Sequence, residues 1–212
     1  HEATRRRVTL YRNVYAVRAT GDFTFAAPQR TPDVRPLAVA DLDGDGADDL
    51  VGYVTPGLGV AFADGRGGFT TPTALQSGAT GVAVGDVDGD GRVDLVVLDQ
   101  STGQLTRWRN EGSRAFWSAA VGALEPADWQ MTLADFNGDR RLDLAAITLD
   151  TTPQVMRGVL VALTQQPDGS LRPALRTEPL YDYGLGVIAR DLDRDGALDL
   201  LGWMRNGRVA VV

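Results

Sequence analysis

Residues 39–52 read VADLDGDGADDLVG, and three further segments of the chain align with this stretch without a gap. They are VGDVDGDGRVDLVV at 84–97, LADFNGDRRLDLAA at 133–146 and ARDLDRDGALDLLG at 189–202. Each copy places an aspartate- and glycine-rich turn between two short apolar runs. Apolar runs of four to six residues bounded by Gly, Asp, Asn and Pro are typical of strands, so each copy predicts a hairpin with a polar loop.

The first aspartates of the four copies, Asp41, Asp86, Asp135 and Asp191, are 45, 49 and 56 residues apart. A period near 45 residues is typical of one four-stranded propeller blade. Three series of strands recur around the loops. The predicted first strands are Leu37–Ala40, Val82–Gly85, Met131–Ala134 and Gly186–Ala189, and the second are Leu50–Val54, Leu95–Leu98, Leu144–Thr148 and Leu200–Met204. The third are Leu58–Ala63, Gln104–Arg109, Gly158–Leu163 and Arg208–Val212.

A fourth strand is predicted at Gly68–Thr70, Ala115–Trp117 and Ser170–Leu171. Before the first loop, Arg7–Asn13 resembles a third strand and Phe23–Ala26 a fourth. No helix is predicted, since Pro126 interrupts the best candidate at 119–131. We therefore expect an all-β, partial β-propeller of about four four-stranded antiparallel blades, part of a larger ring or assembly. Residues 1–212 form one domain or fragment, divided into a half blade at 7–26, blades at 37–75, 82–124 and 131–180, and an incomplete blade at 185–212.

Each loop carries carboxylates, or one amide, at relative positions 1, 3, 5 and 9. Alternate side chains on a tight loop converge, and four hard oxygen donors with the carbonyl of position 7 and water complete a six- or seven-coordinate calcium site. The predicted metal ligands are Asp41, Asp43, Asp45, Ala47 and Asp49 in loop 1, and Asp86, Asp88, Asp90, Arg92 and Asp94 in loop 2. In loop 3 they are Asp135, Asn137, Asp139, Arg141 and Asp143, and in loop 4 Asp191, Asp193, Asp195, Ala197 and Asp199.

The alternative interpretation is four aspartate-rich turns that bind nothing. Four carboxylates within nine residues, with no local cation, are expected to cost several kcal/mol through repulsion, which a divalent ion removes. Magnesium is disfavoured because it demands stricter octahedral geometry. The loops are not EF-hands, since position 12 lies in an apolar strand instead of carrying a bidentate Glu.

Composition agrees with a metal-binding β-protein. Of the 28 acidic residues only 4 are Glu, and the formal net charge is −7. Four calcium ions would bring that charge close to neutral. There is no cysteine and one histidine, His1, which excludes thiolate or multi-histidine metal sites and disfavours histidine base catalysis. No apolar run has the length of a membrane span.

The loops and their flanking strands resemble FG-GAP or VCBS repeats, the blades of integrin-α-like propellers and of many secreted bacterial proteins. The resemblance covers 7–212 and implies calcium in the hairpin that joins the first two strands of each blade. Loop 3 departs from the pattern at Asn137 and at Arg140, where the family has Gly, and we expect it to bind most weakly. Arg194 at position 4 of loop 4 is expected to be harmless. The family propeller usually has seven blades.

Four tryptophans and several tyrosines offer surfaces for stacking a sugar ring. Trp108 and Trp203 lie in predicted strands and are expected to pack between blades. Trp129 and the Tyr181–Tyr183 segment precede loops 3 and 4, and their role stays open. The run Arg5–Arg7 is expected to be a solvated terminus.

Three functions remain open. The first is a non-enzymatic, calcium-binding, secreted or cell-surface module for scaffolding, cell adhesion or protein interaction. The second is a carbohydrate-binding propeller, as a lectin or as part of a polysaccharide-active enzyme, which an exposed Trp or Tyr beside a groove would favour. The weakest is an enzyme with an aspartate-based site. The expected partner is a protein or glycan at the cell surface, with no nucleic acid and no membrane span.

The chain ends are expected to pair with other strands. In one interpretation the chain is a fragment whose missing blades complete a seven-bladed ring, which we favour. In the other, ends of different chains pair by intermolecular strand addition.

Overall fold

The computed structural model describes residues 15–16, 29–30, 33–55, 57–125, 130–150, 157–177, 184–204 and 209–211. Every regular element in these ranges is a β-strand, which confirms the all-β class. Strands β1 (Tyr15–Ala16) and β2 (Gln29–Arg30) form a two-stranded ribbon. The first sheet contains β3 (Arg35–Ala40), β4 (Asp49–Val54), β5 (Gly57–Ala61) and β6 (Thr73–Ser77).

Three more sheets follow in chain order. The second contains β7 (Ala79–Gly85), β8 (Asp94–Asp99), β9 (Gln104–Gly112) and β10 (Ala115–Ala123). The third contains β11 (Met131–Ala134), β12 (Asp143–Asp150), β13 (Arg157–Gln165) and β14 (Leu171–Arg176). The fourth contains β15 (Gly184–Arg190), β16 (Asp199–Met204) and β17 (Val209–Val211).

Within each of these sheets every strand pairs antiparallel with the next strand in sequence. The first strands of consecutive sheets contact one another, β3 with β7, β7 with β11 and β11 with β15. Sheets that are meanders in themselves and meet along their first strands have the arrangement of consecutive propeller blades. This is the predicted partial propeller, seen as an arc of blades.

The core lies between the sheets, and β8 shows why. Leu95 and Val97 pack towards the first sheet, whereas Val96 and Leu98 pack towards the third. All four are at most 1% exposed. A strand with neighbours on both faces must be apolar at every position, which explains the continuous apolar runs that follow the loops.

One predicted strand is wrong. Gly68–Thr70 makes only an isolated bridge, Ala63 to Phe69, and the fourth strand of the first sheet is Thr73–Ser77. Pro72 stands directly before this strand, and without an N–H it cannot donate to a ladder. The segments Arg7–Asn13 and Phe23–Ala26 lie outside the described residues.

Candidate metal sites

The four aspartate loops occupy equivalent places in the fold. Each joins the first two strands of its sheet: loop 1 (41–49) joins β3 to β4, loop 2 (86–94) joins β7 to β8, loop 3 (135–143) joins β11 to β12, and loop 4 (191–199) joins β15 to β16. Because the first strands of the sheets lie side by side, the loops follow one another along the same end of the blades.

The aspartate at position 1 organises each loop. In loop 1, Oδ1 of Asp41 accepts the N–H of Gly44 at 2.8 Å, and Oδ2 accepts the N–H of Gly46 at 2.9 Å. The same two bonds, to positions 4 and 6, recur in loops 2, 3 and 4. The position-5 carboxylate likewise accepts the N–H of position 7 in every loop. All four sequences therefore fold into one hydrogen-bonded scaffold, loop 3 included.

Two positions of this scaffold require a left-handed backbone. At position 6, φ is +85° for Gly46, and at position 4 it is +78° for Gly44. Arg140, which stands where the other loops have Gly, adopts +69° at position 6 of loop 3. Arg194 adopts +67° at position 4 of loop 4. A side chain in this region costs about 1–2 kcal/mol, a backbone cost that was not expected for Arg194 from the sequence, whereas the effect of Arg194 on metal binding stays a prediction.

The aspartate at position 9 is a buried anchor. Asp49, Asp94 and Asp143 are all 0% exposed. In Asp94, Oδ2 accepts the N–H of Val87 at 3.2 Å, and Oδ1 accepts the N–H of Asn110 at 2.7 Å. Asp49 and Asp143 make the corresponding pairs of bonds. This carboxylate thus ties its loop to the end of the third strand.

Burial raises the pKa of Asp49, Asp94 and Asp143 above the ordinary aspartate value, although the backbone hydrogen bonds oppose the shift. Asp199 of loop 4 differs, since only the N–H of Leu192 reaches it among the described residues, at 2.8 Å. The position-9 side chain is therefore a structural anchor in three loops, in addition to its predicted place as a ligand.

Three loops gather carboxylates closely enough for one ion. The trios are Asp41, Asp43 and Asp45; Asp86, Asp88 and Asp90; and Asp191, Asp193 and Asp199, each with ligand oxygens within 4.8 Å of one another. Asp49 and Asp94 stand outside their loops' trios, as does Asp195 in loop 4. Loop 3 brings no three carboxylates together within the described ranges, because position 3 carries Asn137.

The trios fit calcium. Oxygens that lie about 2.3–2.6 Å from a common ion are at most about 5 Å apart, which matches the observed clusters. Each carboxylate oxygen has two lone pairs, so one that accepts a backbone N–H still has a lone pair for a metal. The residues of loops 1, 2 and 4 would hold the ion, and position 3 of loop 3 offers it the amide oxygen of Asn137.

Arginines stand beside three of the loops, which sequence reasoning missed. Arg114, in the β9–β10 turn, donates from Nε to Oδ2 of Asp43 in loop 1 at 2.8 Å. Arg92 is ion-paired with Asp90 in loop 2, and Arg141 with Asp139 in loop 3. Loops 1 to 3 therefore do have a local cation, contrary to the expectation. Loop 4 contains Arg194, but none of its carboxylates is ion-paired within the described part of the chain.

One side-chain amide fastens each of loops 1 and 2 to the following sheet. Nδ2 of Asn110 donates to the carbonyl of Leu42 in loop 1 at 2.6 Å. Nε2 of Gln165 donates to the carbonyl of Val87 in loop 2 at 2.9 Å. The side chains of Leu42 and Val87, at position 2, are themselves buried between sheets. An apolar residue stands at position 2 of every loop. This recurrence was the sequence signal that position 2 packs against the following sheet.

The tryptophans divide by exposure. Trp108 packs against the core between the first two sheets, as predicted, and its Nε1 donates to Gln76 at 3.0 Å. Trp203 is 36% exposed, and the described residues contain no sheet beyond the fourth, so its packing between blades stays a prediction. Trp117 is 54% exposed, and the guanidinium of Arg109 lies 6.0 Å from its ring centre. Trp129 lies outside the described residues.

The repeated loop geometry agrees with a family comparison. Residues 86–146 match the family model of the FG-GAP-like repeat. This segment begins at the first aspartate of loop 2 and ends in the strand after loop 3, so the FG-GAP repeat predicted from the loops is confirmed there. A search of curated proteins finds no significant match to the chain. The described residues contain no helix with the length and apolarity that a membrane crossing requires.

Proposed function

We propose that this chain is a non-enzymatic, calcium-stabilised module that acts outside the cell in adhesion, scaffolding or protein interaction. Its FG-GAP repeat belongs to a class of interaction modules, and its loops have the geometry to hold metal ions. Extracellular calcium is millimolar, a concentration that fills loops of modest affinity. The observation that carries the proposal is the recurrence of one hydrogen-bonded carboxylate scaffold in four loops.

Thermal unfolding with calcium, magnesium or excess chelator tests the calcium part. When the free calcium concentration is about one hundred times the dissociation constant of a site, binding at that site adds about 2.7 kcal/mol to the free energy of unfolding. We expect calcium to raise the melting temperature, magnesium to raise it less, and Asp86→Asn to reduce the calcium effect. Asp64→Asn is the matched control, because Asp64 is an exposed turn aspartate outside the loops. Melting that does not respond to chelator would contradict the proposal.

The fourth sheet is the proposed partner surface. In the fourth sheet, Ile188, Leu192 and Val211 are 40%, 48% and 57% exposed. Leu42 and Val87, which occupy the same loop position as Leu192, are instead buried by a following sheet. Strand β17 has one described neighbour, whereas the third strands of the other sheets have two. We propose that further strands cover this edge, from the same polypeptide or another copy. Sedimentation of a Val211→Arg variant, compared with the unchanged chain, tests pairing between copies.

A second function, carbohydrate binding, is favoured by one observation. Trp117 exposes 54% of its surface on β10, beside Arg109. An indole with a free face stacks on sugar rings, and a guanidinium beside it donates to hydroxyls or carboxylates. Loss of glycan binding on Trp117→Ala, with unchanged melting, would support this function.

A further inference from the structure

A polar cleft of about 320 Å³ lies between the second and third sheets, beside loop 2. Four arginines line it, together with three aspartates and Gln165; they are Arg107, Arg109, Arg140 and Arg141, with Asp86, Asp88 and Asp168. Arg109 and Arg141 are ion-paired with Glu111 and Asp139, which leaves Arg107 and Arg140 as the lining cations without an ion pair among the described residues. The volume falls within the range of about 300–1,000 Å³ that is usual for small-ligand sites.

The comparison with loop 1 shows that this cleft is not a fixed consequence of the fold. Over loop 1, the β9–β10 turn of the next sheet places Arg114 against the ring of Phe62, 4.6 Å from its centre, and on Asp43. Over loop 2, the equivalent turn of the third sheet, 166–170, carries no arginine. The arginines around loop 2 come from β9 and loop 3 instead, and they border open space.

Two buried polar atoms in this lining lack partners. Nε of Arg107 and Oε1 of Gln165 are both buried, and neither has a hydrogen-bond partner among the residues that the structure describes. Gln165 is 3% exposed, and its Nε2 is already bonded to the carbonyl of Val87, which fixes the amide's orientation. An unmade hydrogen bond at a buried atom costs about 1–3 kcal/mol. The wall of the cleft thus contains one unpaired donor and one unpaired acceptor.

Arg140 supplies a third observation. It keeps a left-handed backbone where the other loops have Gly, and its side chain lines this cleft without an ion pair to any described residue. Strained backbone that the surroundings maintain is concentrated at binding and catalytic sites. The residue that makes loop 3 less favourable therefore places a free cation next to loop 2.

We propose that this cleft binds a uronate, a sugar that carries a carboxylate among its hydroxyls. The carboxylate pairs with Arg107 and Arg140, and a hydroxyl donates to Oε1 of Gln165. The carboxylate of an acidic peptide side chain offers only acceptors, whereas a uronate carries hydroxyl donors on the same ring as its carboxylate. Trp117 extends the site outward, because Arg109 lies both in the cleft lining and beside the exposed indole.

Titration calorimetry with trigalacturonate, neutral galactotriose and an aspartate-rich peptide tests the proposal, with calcium held constant. We expect trigalacturonate to bind and the other two not to bind. Arg107→Gln and Arg140→Gly should each weaken binding about tenfold to 100-fold, the loss for a charged hydrogen bond. The control Arg66→Gln, in the exposed turn of the first sheet, should leave affinity unchanged.

Folding is checked separately by thermal unfolding. The Arg140→Gly variant is expected to have a melting temperature no lower than that of the unchanged chain, although it binds trigalacturonate more weakly. The N–H signal of the Arg107 side chain should shift during the titration. The proposal is overturned if trigalacturonate does not bind, if the control variant loses as much affinity, or if the peptide binds in its place. Uronate binding without any thermal response to calcium would count against the calcium proposal and leave this one intact.

Discussion

Loops 2 and 3 have the same scaffold but different ligand sets. Both bond position 1 to the N–H groups of positions 4 and 6, and both bury the position-9 carboxylate. Both also pair an arginine at position 7 with the carboxylate at position 5. They differ at position 3, Asp88 against Asn137, and at position 6, Gly91 against Arg140. Loop shape is thus determined by backbone bonds and the buried anchor, whereas ligand charge varies independently.

Removal of the buried anchor should have the largest effect, and an equal one in both loops. Asp94→Ala and Asp143→Ala each leave two N–H groups without their acceptor. We expect a loss of about 2–4 kcal/mol in the free energy of unfolding, with or without calcium. Denaturant unfolding measures it. Asp168→Ala, in an exposed turn, should change stability by less than about 0.5 kcal/mol.

The comparison would fail if only one of the two anchor variants were destabilised. It would also fail if calcium were needed to see the effect, because the anchor would then act through the metal alone.

An exchange of the position-3 residues should alter metal affinity without altering loop shape. The Oδ1 of Asn137 already accepts the N–H of Asp139 at 2.9 Å, so the amide preserves the scaffold. Asn137→Asp adds one ligand charge, and we expect calcium to bind loop 3 about tenfold more tightly, or about 1.4 kcal/mol. Asp88→Asn should weaken loop 2 by a similar factor. Calcium titration calorimetry of the two variants checks both, and equal affinities in all three proteins would contradict the role given to charge.

The position-6 residues test the cost of the left-handed backbone. Arg140→Gly should raise the free energy of unfolding by about 1 kcal/mol, because glycine adopts positive φ freely. The greater conformational entropy that glycine gives the unfolded chain offsets part of the gain. Gly91→Arg should lower it by a similar amount. A Cβ at Gly91 has no atom within 4 Å, so steric overlap does not confuse the result. Arg194→Gly in loop 4 should behave like Arg140→Gly, and a destabilised Arg194→Gly would show that position 4 is not strained.

The smallest effect concerns pH. In metal-free protein, burial raises the folded-state pKa of Asp94 and Asp143. Their contribution to the free energy of unfolding is therefore fully present below the ordinary aspartate pKa of 3.8, and it is lost as pH rises through the folded-state pKa. Asp168 behaves oppositely, since hydrogen bonds from Ser170 lower its pKa, and its contribution is lost as pH falls. Carboxyl NMR titration in chelator should order the three groups accordingly, and an Asp94 that titrates below Asp168 would contradict this ordering.

The sequence predicted the hairpin loops and the continuous apolar strands because both depend on local chemistry: ligand spacing, turn residues and burial on two faces. It did not reveal the contacts of Arg114, Asn110 and Gln165 with the loops of the preceding sheet, which span 71, 68 and 78 residues. Local spacing carries no information about which turn of the next sheet covers a loop. The conformation of Arg194 was missed because position 4 was treated as variable, although three loops have Gly there.

Diffraction from crystals grown in calcium, with anomalous data at long wavelength, tests the central claim most directly. We predict anomalous peaks in loops 1, 2 and 4, each about 2.3–2.6 Å from the three clustered carboxylates of that loop and its position-7 carbonyl. Loop 3 should show a weaker peak that strengthens in Asn137→Asp crystals. Loops that keep their scaffold in calcium with no anomalous peak would show that these aspartates are turn-forming residues and not ligands.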